Sequence, residues 1–458
     1  MKIIVIGAGP GGYEAAIMAA KLGAEVTVVE KDEVGGTCLN RGCIPTKAFL
    51  ATSDVLETVE NAKEFGVIVD GSISVDYPAV VARKNKVKDT LVKGIHALFE
   101  ENKVELIKGT GKLLGEGKVE VTKEDGSVEV IEADKIILAT GSVPVSPRMF
   151  KYDGDKVITS DEVLDLEAAP ESMIIVGGGV IGCEIGQFLS RMGTKVTIVE
   201  ALSQILPNED KDVSKQLLRQ FKKDKIKVHT GVGVESVDVT DEGVKAALAN
   251  GKEVVAEKML VAIGRRSFVD NLGAQDAGVE VDERGRIVVN DKMETSVPGI
   301  YAIGDIVATA QLAHVASKEG IVAVENAMGA DEHVSYKAVP RCVYTEPEVA
   351  GVGLTEADCE KKGIVYKTGT FDFRGLGKAQ AIGKLQGFVK VIVDEDDVII
   401  GASVVGAHGT DLLAELSLAV HAGLTAKQVG DVIHPHPSLS EALMEALHDV
   451  HGKSVHKM

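Results

Sequence analysis

Lys2-Ile3-Ile4-Val5-Ile6-Gly7-Ala8-Gly9-Pro10-Gly11-Gly12 stands at the head of the chain and decides how the rest is read. Lys2 to Ile6 has the character of a buried strand. A helical stretch from Tyr13 to about Leu22 follows the glycines, and a second strand, Ala24 to Val29, ends in Glu30. This is G-x-G-x-x-G after a strand and before a helix, with an acid about 20 residues on, the pattern of a dinucleotide site. Gly7 makes the tight turn, Gly9 lets the backbone approach a pyrophosphate, and Gly12 lets helix and strand pack closely. The free N–H groups at the helix N-terminus face the anion, and Glu30 can accept from a ribose hydroxyl.

The pattern returns in register. Ile174-Ile175-Val176 precede Gly177-Gly178-Gly179-Val180-Ile181-Gly182, and Val196 to Val199 precede Glu200. The offset is 170 between Gly7 and Gly177, Gly12 and Gly182, and Glu30 and Glu200; Glu14 and Glu184 keep it too. Two complete units imply two bound dinucleotides. Glu200 suits a free ribose 2′-hydroxyl and repels a 2′-phosphate, which favours NAD over NADP at the second unit. Lys135 to Gly141 reads as a buried strand ending in a small-residue turn, echoed by Met259 to Gly264; such turns either touch a cofactor backbone or are plain loops. Thr295 to Asp305 reads as a strand delivering an acid at its carboxyl end, where open α/β sheets bind ligands. Asp305 there either accepts from a polyol chain or caps a helix near Gln311.

Two cysteines lie in Gly35-Gly36-Thr37-Cys38-Leu39-Asn40-Arg41-Gly42-Cys43-Ile44-Pro45-Thr46-Lys47, just after the first unit. A regular helix would hold Cα atoms at i and i+5 roughly 8–9 Å apart, whereas a disulfide tolerates about 4.4–6.8 Å. A closed pair therefore requires a distorted backbone, which Gly42 allows, and Pro45 can start a regular helix beyond. The alternatives are inert core thiols or metal ligands, but no second cysteine pair or His-x3-His follows at zinc spacing. Cys183, Cys342 and Cys359 match no redox position and read as core residues.

Beyond about Lys337 the glycine fingerprints stop. Phe388 to Val393 and Val398 to Val405 read as strands joined by the acidic turn Asp394-Glu395-Asp396-Asp397, a hairpin signal. Gly409 to Ala422 reads as an amphipathic helix, completing a separate α+β region suited to an interface. His434-Pro435-His436-Pro437 is a rigid extended segment. Ser438 and Glu441 fit a capping box; alternatively, Glu441 orients His436 as a base, since imidazole works best at one nitrogen when the other is fixed. His448, His451 and His456 read as a frayed terminus.

The 458 residues suggest roughly three domains. No apolar run approaches the ~18–20 residues of a membrane span. A first strand at Lys2 leaves no room for a signal or transit peptide. Five cysteines in this length do not make a secreted disulfide scaffold. The expectation is a cytoplasmic protein. A net charge of −19 disfavours nucleic acid or an anionic membrane as partner.

Assembled, these features resemble the flavin-dependent pyridine nucleotide–disulfide oxidoreductases over essentially the whole length. GGTCLNRGCIPTK resembles the redox-active segment, and HPHPSLSEA the C-terminal base motif, of members that oxidise dihydrolipoyl groups. The ending HGKSVHKM lacks the C-terminal cysteine pair of other branches. The resemblance implies an α/β fold with two Rossmann-like dinucleotide-binding domains, for FAD and NAD, plus a C-terminal α+β dimerisation domain. The implied boundaries are 1–147 with 269–336 for FAD and the redox disulfide, 148–268 for NAD, and 337–458 for the interface and the catalytic histidine. FAD would be held through Gly7, Gly9, Gly12, Glu30, Lys47, Gly111, Thr140, Gly141, Asp305 and Gln311-Leu312-Ala313-His314. NAD would be held through Gly177, Gly179, Gly182 and Glu200, with Gly264 beside it.

The resemblance further implies that Cys38 exchanges with substrate and that Cys43 contacts the flavin. Lys47, which by itself reads as a helix surface charge, would pair with Glu184 near the flavin ring. His436, oriented by Glu441, would be the base and would come from the other subunit of a homodimer. The implied reaction is oxidation of protein-bound dihydrolipoyl groups with reduction of NAD and no metal. The implied partners are lipoyl domains of 2-oxo acid dehydrogenase complexes or a glycine cleavage lipoyl carrier. Arg41 departs from the small apolar residue common between the cysteines; a cation there would favour a thiolate. Gln311 stands where methionine is frequent. Two alternatives accompany this expectation: another NAD(P)H-dependent disulfide reductase of the same fold, and a flavoprotein serving mainly as a docking subunit.

Overall fold

Lys2–Ile6 forms the middle strand of a five-stranded parallel sheet ordered Ile300–Ala302, Lys135–Leu138, Lys2–Ile6, Glu25–Glu30, Glu105–Lys108. Ile3, Ile4, Val5 and Ile6 are all buried, so the run shows no polar alternation, as a strand covered on both faces requires. The helix Pro10–Lys21 follows, with Pro10 in its first turn and Ala15, Ala16 and Ala19 buried. These small side chains bring helix and sheet close together.

The computed structural model describes residues 1–115 and 117–457. The chain forms two units: Met1–Ser146 with Thr159–Ala168 and Gly264–Val334, and Pro147–Ile158 with Ala169–Ile263 and Ser335–Met458. The first unit holds the sheet above, a three-stranded antiparallel sheet (Thr110–Gly115, Lys118–Thr122, Val128–Glu132) and a ribbon pairing Ser142–Pro144 with Arg265–Ser267. The second unit repeats the parallel sheet in the order Lys227–Thr230, Lys195–Glu200, Ser172–Val176, Lys258–Val261, Val157–Ile158. The repeat holds at the level of register: Ile6 faces Val29, and Val176 faces Val199.

The second unit also carries a five-stranded antiparallel sheet from Arg341–Val343 to Lys367–Asp372. Its hairpin joins Phe388–Val393 to Ile399–Gly406. The turn is the acidic one expected: the Asp394 carboxylate accepts the N–H groups of Asp396 and Val398 at 3.1 and 2.9 Å. Helices Gly409–Ala422 and Glu441–Asp449 pack on this sheet through Leu413, Leu416, Leu443 and Leu447.

Two sequence expectations need correction. The strand leading to Asp305 is only Ile300–Ala302, because Pro298 cannot donate to a ladder and Gly299 turns the chain at φ +83°; Asp305 sits in the short turn Gly304–Ile306. The C-terminal histidines do not mark a frayed end. Buried Glu445 accepts from Ser454 Oγ at 2.6 Å and Val455 N at 3.0 Å and faces His456 Nδ1 at 2.6 Å, while His451 Nε2 lies 3.1 Å from Asp397. Among the described residues, no helix is long and apolar enough to cross a membrane.

Candidate active site

Each parallel sheet ends in the same cradle. Glu30 Oε2 accepts the Ala8 N–H at 2.7 Å and Oε1 the Asp32 N–H at 2.8 Å; Glu200 does the same for Gly178 and Leu202, both at 2.7 Å. Burial pushes the Glu30 carboxyl above its usual range, opposed by the Ala8 N–H and by Lys31. A Cβ on Gly12 would stand 2.0 Å from the Gly7 oxygen, and one on Gly182 2.0 Å from the Gly177 oxygen. By contrast, a Cβ on Gly9 or Gly179 would meet nothing within 4 Å. The tight glycines fix the turn, and the open ones leave room for an anion at a helix N-terminus. Both cradles therefore fit the pyrophosphate of a dinucleotide.

In the first unit, Thr140 Oγ1 donates to the Phe268 carbonyl at 2.5 Å, Gly141 follows, and Gly111 lies against Ile6 and Val29. Asp305 Oδ2 accepts from Ser142 Oγ at 2.5 Å. The helix-cap alternative for Asp305 falls, because helix Ala313–Ala327 has Leu312 at its cap position and no side-chain cap. Ala313 and His314 open that helix. Gly264 has φ +128° and its carbonyl accepts the Val145 N–H at 3.0 Å.

The cysteine segment is two helices with a break. Gly36–Arg41 ends at Gly42, and Cys43–Glu60 begins directly after. A Cβ at Gly42 would lie 2.9 Å from the Thr37 oxygen, so the break needs this residue. Asn40 Nδ2 ties the turn down by donating to the Val34 and Gly36 carbonyls, each at 3.0 Å. The result places the half-buried Cys38 and the exposed Cys43 in hydrogen-bonding contact as thiols. That bond to Cys43, then burial, pushes the Cys38 thiol up; Lys47, one turn into the second helix, pulls the other way. Arg41, which stands between the cysteines in sequence, is ion-paired with Asp32, and the Arg265 guanidinium also faces Cys43. The other thiols suit core roles: Cys183 and Cys359 are buried, and burial raises both.

Sequence reasoning missed Arg265. Its side chain is 14% exposed, and it donates from Nε to Ser142 Oγ at 2.8 Å and from Nη2 to the Ser142 carbonyl at 2.9 Å. Longer contacts reach Thr37 Oγ1 at 3.4 Å and Asp161 at 3.9 Å. Arg265 thus joins the Asp305-bearing wall to the residue preceding Cys38. The one signal in the sequence was its place immediately after Gly264.

In the second unit, buried Glu184 accepts the Tyr344 N–H at 2.8 Å. Glu441 Oε1 lies 2.7 Å from His436 Nδ1, and its Oε2 accepts the Ser438 N–H at 2.9 Å. Only half of the capping box forms. The helix starts at Glu441 with Ser440 at the cap, and the Ser438 hydroxyl bonds Ser440 Oγ at 2.8 Å instead. Glu441 is thus the first residue of the helix and not its N3 cap, and its carboxylate holds His436 Nδ1. With Nδ1 fixed, the exposed His436 can exchange protons at Nε2. Among the described residues no group of three or more His, Cys, Asp or Glu could hold a metal ion.

Residues 1–320 match the family described as pyridine nucleotide-disulphide oxidoreductase, and residues 339–447 match its dimerisation domain. Dihydrolipoyl dehydrogenase of Chlamydia muridarum is 42% identical over 446 residues, covering 97% of this chain and 95% of that protein. The Bacillus subtilis enzyme of that name is 41% identical over 469 residues, covering 99% and 98%. LpdA from Mycobacterium tuberculosis has a similar structure, with a TM-score of 0.91 at 29% identity over 98% of this chain and 99% of that one. RclA, a HOCl-induced flavoprotein disulfide reductase from Escherichia coli, follows at a TM-score of 0.87 and 26% identity, covering 98% and 99%.

Proposed function

Because the chain belongs to the pyridine nucleotide–disulphide oxidoreductase family, we propose that its Cys38–Cys43 pair oxidises dihydrolipoyl groups for the reduction of NAD, the activity of a dihydrolipoyl dehydrogenase. The observation that carries this reading is the thiol contact across the Gly42 break, with Lys47 beside it. It is supported by near-full-length relatives bearing that name.

The chemistry that a bound FAD supplies is two-electron exchange between the dithiol and a pyridine nucleotide. The chain's own residues do the rest. His436 takes the proton of one dihydrolipoyl thiol. The resulting thiolate bonds to Cys38 as the Cys38–Cys43 bond breaks. The second lipoyl sulfur then displaces Cys38, the lipoyl ring closes, and two electrons remain on the pair as thiols. In this scheme Cys38 is the exchanging sulfur and Cys43 faces the flavin. FAD would be held on 1–147 with 269–336 by Gly7, Gly9, Gly12, Glu30, Thr140, Gly141 and Asp305, and NAD on 148–268 by Gly177, Gly179, Gly182 and Glu200. Lys47 would act beside the flavin.

The chain carries the family's dimerisation domain and works as a homodimer. We assign His436 to act across that dimer, and the lipoyl group to a carrier domain of a 2-oxo acid dehydrogenase or glycine cleavage assembly in the cytoplasm. A reductase for a small disulfide is the less favoured reading, given the relatives' names.

The test is NADH formation by the purified flavoprotein with dihydrolipoamide and NAD, repeated with NADP and with Cys43→Ser. Rapid NADH formation, little NADPH and an inactive Cys43→Ser are expected. A protein that binds FAD yet turns over neither nucleotide would sink the assignment, and an assembly that works as well with a turnover-dead Cys43→Ser subunit would leave only a docking role.

A further inference from the structure

Two histidines share the rigid C-terminal segment, and the scheme above uses only one. Their settings differ: the side chain of His436 is 78% exposed, that of His434 3%. His434 Nε2 lies 2.9 Å from Glu415 Oε1, on helix Gly409–Ala422, and Nδ1 lies 2.8 Å from the Val432 carbonyl oxygen. Both partners are acceptors with no hydrogen to give, and a neutral imidazole donates at one nitrogen only. The two contacts are satisfied together only when both ring nitrogens carry hydrogen.

We propose that His434, doubly protonated between Glu415 and the Val432 carbonyl, is a positioning residue that fixes the His-Pro-His-Pro segment to helix Gly409–Ala422 and so sets where His436 presents Nε2. Only Pro435 separates the two histidines, and its ring locks φ, so a shift at His434 passes to His436 with little slack. The charged groups facing the ring are Glu415 and, farther off, Glu441; the Glu415 bond, against burial, holds the imidazolium above its ordinary range. The clamp is therefore complete at low pH and loses one contact as pH rises through that raised value. His436 works in the opposite sense, as a base that must be neutral. Lipoamide oxidation then falls at alkaline pH, as His434 gives up its second ring hydrogen. The inference rests on His436 being the base.

The experiment takes the FAD-loaded full-length dimer with free dihydrolipoamide and NAD, comparing Glu415→Gln, His434→Gln and His436→Gln. His434→Gln retains a donor toward Glu415 but none toward Val432. The expected result is a fall in kcat of about tenfold to a hundredfold in the first two, the scale of an ångström of misplacement. The alkaline limb of the pH–rate profile should move to lower pH in Glu415→Gln and vanish in His434→Gln. NADH reduction of ferricyanide, which needs no thiol proton transfer, should keep the parental rate in both. Parental kcat and an unmoved alkaline limb would overturn the proposal, as would parallel loss of ferricyanide reduction. His436→Gln separates the layers: retained lipoamide turnover there removes the base assignment itself. Lost turnover there, with parental Glu415→Gln and His434→Gln, removes only the positioning role.

Discussion

Replacing Arg265 tests whether the redox segment is held from outside itself. Its two short bonds, 2.8 and 2.9 Å, end on Ser142, and its charge faces Asp161 at 3.9 Å. Water cannot take over, because the guanidinium is nearly enclosed. Arg265→Met leaves a half-buried carboxylate and two oxygens without their cation, a loss of about 3–5 kcal/mol. Arg265→Lys keeps the charge but not the fork, so one short bond goes, at about 1.5–3 kcal/mol. The pH dependence has a definite sign. Burial already raises the Asp161 carboxyl, and Arg265 opposes that rise. Without Arg265 the folded-state pKa climbs further, so the deficit of Arg265→Met is full above that value and shrinks as acid protonates Asp161. The assay is urea unfolding from neutral pH downward, at one fixed FAD concentration because ligand contributes to apparent stability. Hydrogen exchange of the amides from Gly35 to Gly42 would be followed alongside. An Arg265→Met protein within about 1 kcal/mol of the parent, far below the worth of a broken buried pair, would refute the reasoning. So would a deficit that grows in acid.

Gly12→Ala should purify without flavin, since the added carbon meets the Gly7 oxygen at 2.0 Å. Gly182→Ala should keep its yellow colour yet fail to form NADH; absorbance and turnover distinguish the two. Glu200→Ala strands the N–H groups of Gly178 and Leu202. We expect the KM for NAD to rise about tenfold, roughly the worth of one hydrogen bond, and the preference over NADP to narrow, both read from initial rates. Lys390→Met removes the buried cation shared by Asp210, Asp212 and Glu356. The expected loss is about 3 kcal/mol at neutral pH. It should diminish in acid, because burial already raises Asp210 against the pull of Lys390 and of the Glu356 N–H, and urea midpoints across pH would show it.

Both cradles were legible because their signals are local: a glycine at a fixed offset, a β-branched run, an acid closing the next strand. The hairpin at Asp394 was legible for the same reason. Arg265 was not, because its partners Thr37 and Asp161 lie 228 and 104 positions earlier in the chain, and a charge beyond a strand reads as solvated until the fold buries it. The ion pair of Arg41 was equally hidden. Its neighbours in sequence are the cysteines, while its neighbour in space is Asp32. The tie between Glu445 and the last residues was likewise invisible, since isolated histidines near a terminus carry no period.

The order of strands in the first sheet has a consequence for how the protein is made. Lys135–Leu138 lies next to the edge strand Ile300–Ala302, which leaves the ribosome more than 160 residues later. At about 5–20 residues per second, that interval lasts roughly 8–32 s. Throughout it, the nascent sheet shows an open, apolar edge of the kind that recruits other strands, and the Asp305 wall does not yet exist. The first parallel sheet is thus completed only late in synthesis, when Ile300 emerges.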